Sequence, residues 1–297
     1  MISSEKKIRK NIKTASLKLR DGWNGRVVLS NTSGKNFSKT DWAKCLSQPQ
    51  LLLENVEKIL KKQGQNSVVV KSLTVGTSQL KVVVKRHCRG TGLRQFFRSF
   101  RPGKAVRNFK TALKLLSYDI PVAAPLAAIC QRRNLLTKQS IYITEYLENS
   151  TNLYTFVSEK FPIDRTERFA LKKQLCSQIA AILAMLHKNS LWHRDSKANN
   201  FIVHRNSATE YRILLVDMDG INRYFLWRRG HRLRALWRLA ASLMPVVTVN
   251  RTDYLRTFTT YSDLTGLEIS QRRRIFHKLA HKAGAKQLRN IIKTVNK

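Results

Sequence analysis

Short runs of β-branched and apolar residues dominate the chain between residues 65 and 147. Residues 67–71 and 79–85 are rich in valine and are separated by a turn-like segment, so they predict a β-hairpin. Residues 140–147 have a similar aromatic and β-branched character and predict another strand. Before them, the apolar side chains of residues 49–62 recur at helical spacing and predict a helix.

In the second half of the chain, the apolar residues recur at helical spacing. One apolar stripe, ending at residue 187, consists of Leu171, Leu175, Ile179, Ile182 and Leu186. Two later stripes, within residues 233–240 and 275–283, leave Arg and Lys on the other faces and predict basic helices.

The change from strands to helices falls near a polar, turn-prone segment at residues 149–152. We therefore predict an α+β chain in three parts. These are a basic N-terminal extension with its helix (residues 1–65), a strand-rich domain (residues 66–147) and a mainly helical domain (residues 148–297).

The charge of the chain is strongly one-sided. Lys and Arg number 56 against 18 Asp and Glu, which gives a formal net charge of +38 in 297 residues, whereas a small domain usually carries about 2 to 8 net charges. The densest patch, residues 81–114, has eleven basic residues and no acidic one. Self-repulsion of this size indicates a polyanionic partner: phosphate, acidic glycolipid or nucleic acid. The alternative is a basic surface that serves only solubility.

The cysteines and the N-terminus indicate the compartment. Four isolated cysteines, without CxxC pairs or zinc-like spacing, are typical of a reduced, cytoplasmic protein. The N-terminus is basic but no apolar core follows it, so no signal peptide is predicted. The longest apolar runs, such as residues 120–130, fall short of the roughly 20 residues that span a bilayer. Any membrane contact is therefore expected to be peripheral.

Charged residues interrupt an apolar stretch soon after the first long helix pattern ends. Residues 193–200 read HRDSKANN and match H-R-D-x-K-x-x-N, the catalytic loop of the protein-kinase-like fold. Phosphoryl transfer needs a carboxylate that orients the acceptor hydroxyl and takes its proton, which is the role predicted for Asp195. Lys197 is predicted to reach the transferring phosphate and offset its charge. Asn200 offers a neutral oxygen to Mg²⁺, which prefers oxygen ligands.

A carboxylate ligand for Mg²⁺ is expected about twenty residues downstream, after the next hairpin. Residues 213–220 read ILLVDMDG, so Asp217 stands in the place of the DFG aspartate and is the predicted metal ligand. Asp219 replaces the glycine of that pattern, either as a partner of the metal ligands or as a turn residue. The hairpin between the two motifs is predicted at residues 201–216.

Nucleotide-binding residues are predicted in the strand-rich half. Residues 82–85 read VVVK and resemble the V-A-I-K pattern, whose lysine anchors the nucleotide phosphates, so Lys85 is the candidate. Glu145 and Leu147, at the end of the predicted strand, resemble a hinge whose backbone bonds adenine. The alternative, an edge strand that enters a turn, requires the same residues.

The usual partner of the phosphate-anchoring lysine is missing. A kinase lysine is normally held by a glutamate on the following helix, but no Glu occurs between Lys85 and the predicted hinge, and Asn108 stands about where it is expected. Either Glu54 or Glu57 on the earlier predicted helix substitutes, or Lys85 is paired only by Asp217 and nucleotide phosphate.

Two motifs of protein kinases are also absent. Gly76 is the only glycine in the predicted hairpin turn, so no Gly-rich phosphate loop is found, and no A-P-E segment follows Gly220. Because peptide substrates dock on that segment, a small-molecule acceptor is favoured. The positive charge implies an anionic acceptor, such as a sugar with phosphate or carboxylate groups. A pseudokinase is the alternative, against which the intact catalytic and metal-binding residues argue.

Four stretches between residues 68 and 239 share a common likeness. They are VVVKRHCRG at residues 82–90, LSYDIPVAAPLA at residues 116–127, the loop at residues 193–200, and residues 215–223 with their Asn-Arg pair. Together they resemble the lipopolysaccharide core kinases, the Kdo and heptose kinase family. Asp119 and Asn108 depart from the family pattern, and the first sixty residues resemble nothing we can name. The resemblance implies a bilobal protein-kinase-like fold, with a strand-rich N-lobe and a mainly helical C-lobe.

The resemblance also implies ATP- and Mg²⁺-dependent phosphorylation of a Kdo or heptose hydroxyl in the lipopolysaccharide inner core. The expected place is the cytoplasmic face of the inner membrane, where basic helices at residues 228–238 and 272–289 would gain about 1 kcal/mol per basic residue from anionic lipid. Their alternative is a core-packing helix with a solvated face. Other candidates are a kinase of a protein or another small molecule, and a polyanion-binding module. Nucleic acid is disfavoured because the sequence contains no reading motif.

Overall fold

The structure is a computed structural model that describes residues 12–30, 34–88, 102–133, 136–207, 209–224 and 228–295. The chain divides into two compact units, residues 1–147 and 148–297. Residues 89–101 of the basic patch lie outside the described residues.

The first unit contains a seven-stranded antiparallel sheet. Its strands are β1 (Thr14–Lys18), β2 (Trp23–Val28), β3 (Lys58–Gln63), β4 (Asn66–Val75), β5 (Ser78–Cys88), β6 (Pro125–Arg133) and β7 (Leu136–Glu145). They lie in the order β1-β2-β6-β7-β5-β4-β3. The described residues of this unit also form the helices α1 (Lys39–Cys45) and α2 (Lys104–Ser117).

Alternating valines form the centre of this sheet. Val82 and Val84 on β5 are fully buried, and successive side chains of a strand point to opposite faces, so Lys85 lies on the other face. β5 pairs with β4 on one side and β7 on the other. Helix α2 packs its apolar side, which includes Phe109 and Leu115, on β6 and β7. The predicted hairpin and the strand near residue 140 are confirmed.

The predicted helix at residues 49–62 is wrong. The structure has a 3₁₀ turn, Pro49–Leu53, followed by strand β3. Asn55 lies between them in a left-handed conformation (φ 48°) that does not continue a right-handed helix. Because β3 pairs with β4 along its length, the sheet ladder outweighed the local helical spacing. The isoleucine and leucine at positions 59 and 60 are exposed, instead of forming a buried helix face.

The N-terminal residues are built into the same sheet, because β2 pairs with β6. The strand approaches β6 closely at Gly25, where a Cβ would lie 2.0 Å from the carbonyl oxygen of Ala128. Only glycine fits at that distance. Residues 12–65, which the sequence suggested to be an extension, therefore supply three strands and α1 to the first unit.

The second unit is mainly helical. Its helices are α3 (Leu153–Glu159), α4 (Arg165–Lys188), α5 (Arg228–Leu243), α6 (Arg251–Thr265) and α7 (Ile269–Val295). Its strands are β8 (Ser150–Asn152), β9 (Leu191–His193), β10 (Phe201–Arg205), β11 (Tyr211–Leu215) and β12 (Ile221–Arg223). They form a three-stranded sheet in the order β11-β10-β8 and a two-stranded sheet of β12 and β9.

Helix α4 is the central helix of this unit, and all five residues of its predicted stripe are buried. Its Gln178 side chain holds the β10–β11 hairpin by donating to the Tyr211 carbonyl (2.7 Å) and accepting from the Ile213 amide (2.7 Å). By length and composition alone, α4 is the one helix among the described residues that is apolar enough to cross a membrane, and half of the stretch concerned is buried inside the protein.

Candidate active site

The loop at residues 193–200 is held by the strands on either side of it. β9 leads into it and pairs with β12, and the Arg194 amide donates to the Gly220 carbonyl (2.7 Å). The fully buried His193 ring packs against Gly220, where a Cβ would lie only 2.2 Å from a ring carbon. Nδ1 of His193 accepts a hydrogen bond from the Asp195 amide (3.1 Å). The loop backbone is therefore fixed directly before its carboxylate.

His193 acts in this structure as an anchor of the loop. Burial lowers the pKa of its imidazole from the ordinary value, an effect that the nearby Asp217 and Asp195 carboxylates oppose in part. A neutral ring suits an Nδ1 that accepts a backbone hydrogen bond.

Two cations contact the Asp195 carboxylate. Nη2 of Arg238, on α5, donates to Oδ1 (2.9 Å), and Nζ of Lys197 lies 3.2 Å from Oδ2. The Asp195 side chain is 36% exposed, so the carboxylate is partly sheltered but open to an acceptor. Arg238 was missed in the sequence because it lies 43 residues after Asp195, in a helix rich in arginine.

Helix α5 supports the loop at two other points. The Ser196 hydroxyl donates to the Ala235 carbonyl (2.6 Å), and the Ala198 amide donates to the Ser242 hydroxyl (2.9 Å). Both contacts are largely shielded from water, where hydrogen bonds constrain geometry well.

The two predicted metal ligands are brought together by the backbone. Nδ2 of Asn200 donates to the Asp195 carbonyl (2.6 Å), which fixes the orientation of the amide and leaves its oxygen as the available ligand atom. The Val216 amide donates to the Asn200 carbonyl (2.9 Å), so the strand that ends before Asp217 is joined to Asn200. Asp217 itself has a left-handed conformation (φ 63°).

This donor set fits Mg²⁺. One amide oxygen and one carboxylate are hard oxygen ligands, and Mg²⁺ usually takes one or two carboxylates together with substrate phosphates and water. The described residues contain no cluster of three or more His, Cys, Asp or Glu that would form a metal cage without substrate. Asp219 lies in the 3₁₀ turn Met218–Gly220.

In the first unit, Lys85 lies on the third strand of the antiparallel meander β3–β4–β5, opposite Val68 and Tyr142. This matches the strand position of the phosphate-anchoring lysine in kinases. The turn between the first two strands of the meander contains Gly64 (φ 55°). The predicted hairpin turn with Gly76 is therefore the second turn of the meander. The first turn was not predicted, because residues 49–62 were predicted to be a helix.

The two predicted hinge residues lie at the end of β7. The Glu145 amide donates to the Ala124 carbonyl (2.9 Å), and the following amide, of Tyr146, donates to the Lys81 carbonyl (3.0 Å). Glu145 ends β7 and Leu147 lies just beyond the strand. Both belong to the first unit.

Glu54 and Glu57, the two acids predicted as partners of Lys85, do not lie on the helix that was predicted for them. The Glu57 carboxylate accepts from the Ser72 hydroxyl (2.5 Å) and lies 3.3 Å from Nζ of Lys81. It lies next to β3, and neither it nor Glu54 belongs to a helix. The Asn108 side chain on α2 is buried, and its Nδ2 has no hydrogen-bond partner among the described residues.

The loop, the Asp195 carboxylate and the two predicted metal ligands have the arrangement expected of a phosphotransferase of the kinase type. Residues 61–261 match the lipopolysaccharide kinase (Kdo/WaaP) family, and the chain belongs to that family. No curated protein matches the chain in sequence. Among solved structures, "WaaP in complex with acyl carrier protein" is similar in fold, with a TM-score of 0.57, 18% identity, and coverage of 80% of this chain and 92% of that one.

Proposed function

We propose that the chain is an ATP- and Mg²⁺-dependent kinase that phosphorylates a sugar hydroxyl, of Kdo or heptose, in the lipopolysaccharide inner core. The observation that carries the proposal is the loop geometry: Lys197 contacts the Asp195 carboxylate, and Asn200 is bonded to the Asp195 carbonyl. Membership of the lipopolysaccharide kinase family supports the substrate class.

Asp195 is the proposed base for the acceptor hydroxyl. As the acceptor oxygen approaches the γ-phosphorus, a carboxylate oxygen takes the hydroxyl proton. Lys197, whose side chain is half exposed, is free to turn from the carboxylate to the transferring phosphate. Its positive charge then offsets the negative charge on the phosphoryl oxygens in the transition state.

The remaining residues hold the nucleotide. Asn200 and Asp217 are the proposed Mg²⁺ ligands, and an ion held there would neutralise charge on the phosphates. Lys85 is the proposed phosphate anchor, and the backbone at Glu145 and Leu147 is the proposed adenine contact. We also assign the β3–β4 turn with Gly64 to the place of a phosphate-covering loop, because it joins the first two strands of the meander.

An anionic acceptor at the membrane suits the charge of the chain. A net charge of +38 favours the phosphorylated glycolipid surface over neutral sugars. Helix α7 presents Arg273, Arg274, Lys278 and Lys282 together with exposed apolar side chains near its end, at Leu288 and Ile292. This composition is typical of helices that lie on anionic lipid. We propose a cytoplasmic protein that associates peripherally with the inner membrane.

Phosphate transfer from labelled Mg-ATP to lipopolysaccharide from a strain that lacks this protein tests the function. We expect label on the core sugar with wild type and none with Asp195→Ala. Asp263→Asn is the matched control, because Asp263 is an exposed carboxylate that pairs with Arg272 on the surface. Equal labelling by wild type and Asp195→Ala would contradict the proposal. Label on protein or on a free metabolite instead would favour another kinase reaction.

An acyl carrier protein is a further candidate partner, because the solved neighbour is a complex with one. An apolar cavity of about 350 Å³ lies among α4, α5, α6 and α7, lined by side chains such as Leu183, Leu239 and Phe276. Such a cavity suits an acyl chain. Acylated carrier protein should bind more tightly than the unacylated form, and Ala280→Trp should remove the difference. Equal binding of the two forms would contradict this use of the cavity.

A further inference from the structure

Both oxygens of the Asp195 carboxylate contact cations, one from the loop itself and one from helix α5. Arg238 holds Oδ1 at 2.9 Å, and Lys197 lies 3.2 Å from Oδ2. Lys197 belongs to the loop itself and its side chain is 51% exposed, whereas Arg238 comes from α5 and its side chain is 27% exposed. The contact with Arg238 is therefore the more sheltered of the two.

Two hydrogen bonds fix α5 against the loop on either side of Arg238. Ala235, three residues before it, accepts from the Ser196 hydroxyl, and Ser242, four residues after it, accepts from the Ala198 amide. Residues three and four apart share one face of a helix, so all three contacts come from the same face. The backbone at Arg238 is thus held, and its planar guanidinium approaches the carboxylate from a fixed direction.

We propose that Arg238 is a positioning residue that holds Oδ1 of Asp195, so that Oδ2 faces the acceptor hydroxyl. The inference rests on the proposed function and adds which oxygen takes the proton. When Lys197 turns to the transferring phosphate, Oδ2 loses its cation and Oδ1 keeps Arg238. The acceptor oxygen then bonds to the γ-phosphorus, the bond from that phosphorus to the ADP oxygen breaks, and Oδ2 receives the hydroxyl proton.

Steady-state kinetics of Arg238→Gln test the proposal. We expect kcat to fall about 100-fold, since a small misplacement of a catalytic group has an effect of that order. The KM values for ATP and acceptor should change less than about twofold, because the lost interaction acts on the transition state. Arg234→Gln is the matched control: it removes the same charge from an exposed position of the same helix and should leave kcat unchanged.

Chemical rescue separates positioning from a structural role. Guanidinium ion should restore part of the kcat of Arg238→Ala, because it replaces the missing donor at Oδ1. Arg238→Lys should retain intermediate activity, since an ammonium group on a flexible stem keeps the charge but not the fixed direction of the guanidinium donor. In an Asp195→Asn background, Arg238→Gln should have little further effect, because residues that act as a unit are not additive.

Three results would overturn the inference. A raised KM for the acceptor with unchanged kcat would assign Arg238 to acceptor binding. Equal kcat in Arg238→Gln and Arg234→Gln would remove any role in the reaction. A lower kcat without guanidinium rescue, together with a lower melting temperature, would reduce Arg238 to a structural contact.

The proposed function is decided separately, by whether wild type labels lipopolysaccharide. If wild type hydrolyses ATP without labelling lipopolysaccharide, the same kcat comparison with water as acceptor tests Arg238, while the substrate assignment fails. A wild type that transfers phosphate to neither acceptor would overturn both.

Discussion

The two units of the chain differ in how their sequences specify the candidate functional residues that each of them contains. In the second unit, the assigned roles belong to side chains of two short motifs: Asp195, Lys197 and Asn200 in the loop at residues 193–200, and Asp217 after the following hairpin. In the first unit, most of the contacts proposed for the nucleotide would be made by backbone, and Lys85 is the one proposed side chain with a recognisable pattern. A chemical role of side chains can be recognised in the sequence from residue types and their spacing, whereas binding by backbone groups depends on strand register.

The contacts that hold these candidate residues in position also differ between the two units. The loop at residues 193–200 is held by hydrogen bonds with the His193 ring, the Gly220 carbonyl and α5. The position of Lys85 depends on the pairing of β3 with β4 and of β4 with β5. This arrangement was missed in the sequence, because a helix was predicted where β3 lies. The comparison is tested by substitutions in each unit, each with a neighbour as its control.

The largest effect is expected for Asp217, the proposed metal ligand in the second unit. Asp217→Asn should lower kcat/KM about 1,000-fold, because a bound metal ion contributes several kcal/mol to charge stabilisation and each 1.36 kcal/mol is tenfold in rate. Asp219→Asn is the control, with an expected change of less than tenfold if Asp219 is a turn residue. Activity is measured as a function of Mg²⁺ concentration. Equal losses in both variants would assign Asp219 to the metal site as well.

The corresponding substitution in the first unit should act on nucleotide binding. Lys85→Met should raise the KM for ATP about 10- to 100-fold, because a charged hydrogen bond contributes about 1.5–3 kcal/mol. Lys81→Met removes a lysine on the same face of β5, which pairs with Glu57, and should leave the KM for ATP nearly unchanged. Isothermal titration with a non-hydrolysable ATP analogue measures the affinity directly. Unchanged affinity in Lys85→Met would mean that the pattern at residues 82–85 is only a strand.

Several elements of the fold were predictable from short-range pattern. The strands at Val82 and Val84, the stripe on α4 and the hairpin that ends before Asp217 follow from periods of two and about three and a half residues. Strands β5 and β10 bury alternate residues, and the predicted stripe of α4 is buried, so local pattern and tertiary packing agree. The catalytic loop was predictable because its polar residues break such a pattern.

The rest depended on contacts between distant residues. Residues 49–62 have helical spacing, but pairing with β4 makes their second half a strand. Arg238 resembles the other arginines of α5 in sequence, and only the approach of that helix to the loop distinguishes it. Neither the β3–β4 pairing nor the contact of Arg238 with the loop can be predicted from neighbouring residues, because each depends on how separate elements pack in the folded chain.

The third prediction concerns the stability of the loop in the second unit. Gly220→Ala should destabilise the protein by about 2–3 kcal/mol, because its Cβ would lie 2.2 Å from the His193 ring and force the ring or strand to move. Gly230→Ala is the control, since nothing lies within 4 Å of its Cβ, and alanine favours a helix by up to about 1 kcal/mol. Urea unfolding measures both. A neutral Gly220→Ala would show that His193 is not tightly held.

The smallest effect should appear as a dependence of stability on pH. His187 is fully buried beside α6, with Nδ1 at 2.8 Å from the Tyr261 hydroxyl, and burial together with the Arg232 charge lowers its pKa from 6.5 to about 3. Between these values the unfolded chain binds a proton that the folded protein does not, so stability falls as the pH decreases from 6.5 towards 3. At pH 5 the loss from this residue should be about 2 kcal/mol.

His187→Gln should therefore reduce the loss of stability between pH 7.5 and pH 5, measured by urea unfolding at both values. His193, whose pKa burial also lowers, should keep part of the slope in the variant, because it too binds a proton more weakly in the folded protein than in the unfolded chain. His277→Gln, which removes an exposed histidine on α7, should keep the wild-type slope. If His187→Gln kept the full slope as well, the acid sensitivity would have to come from groups other than this buried ring.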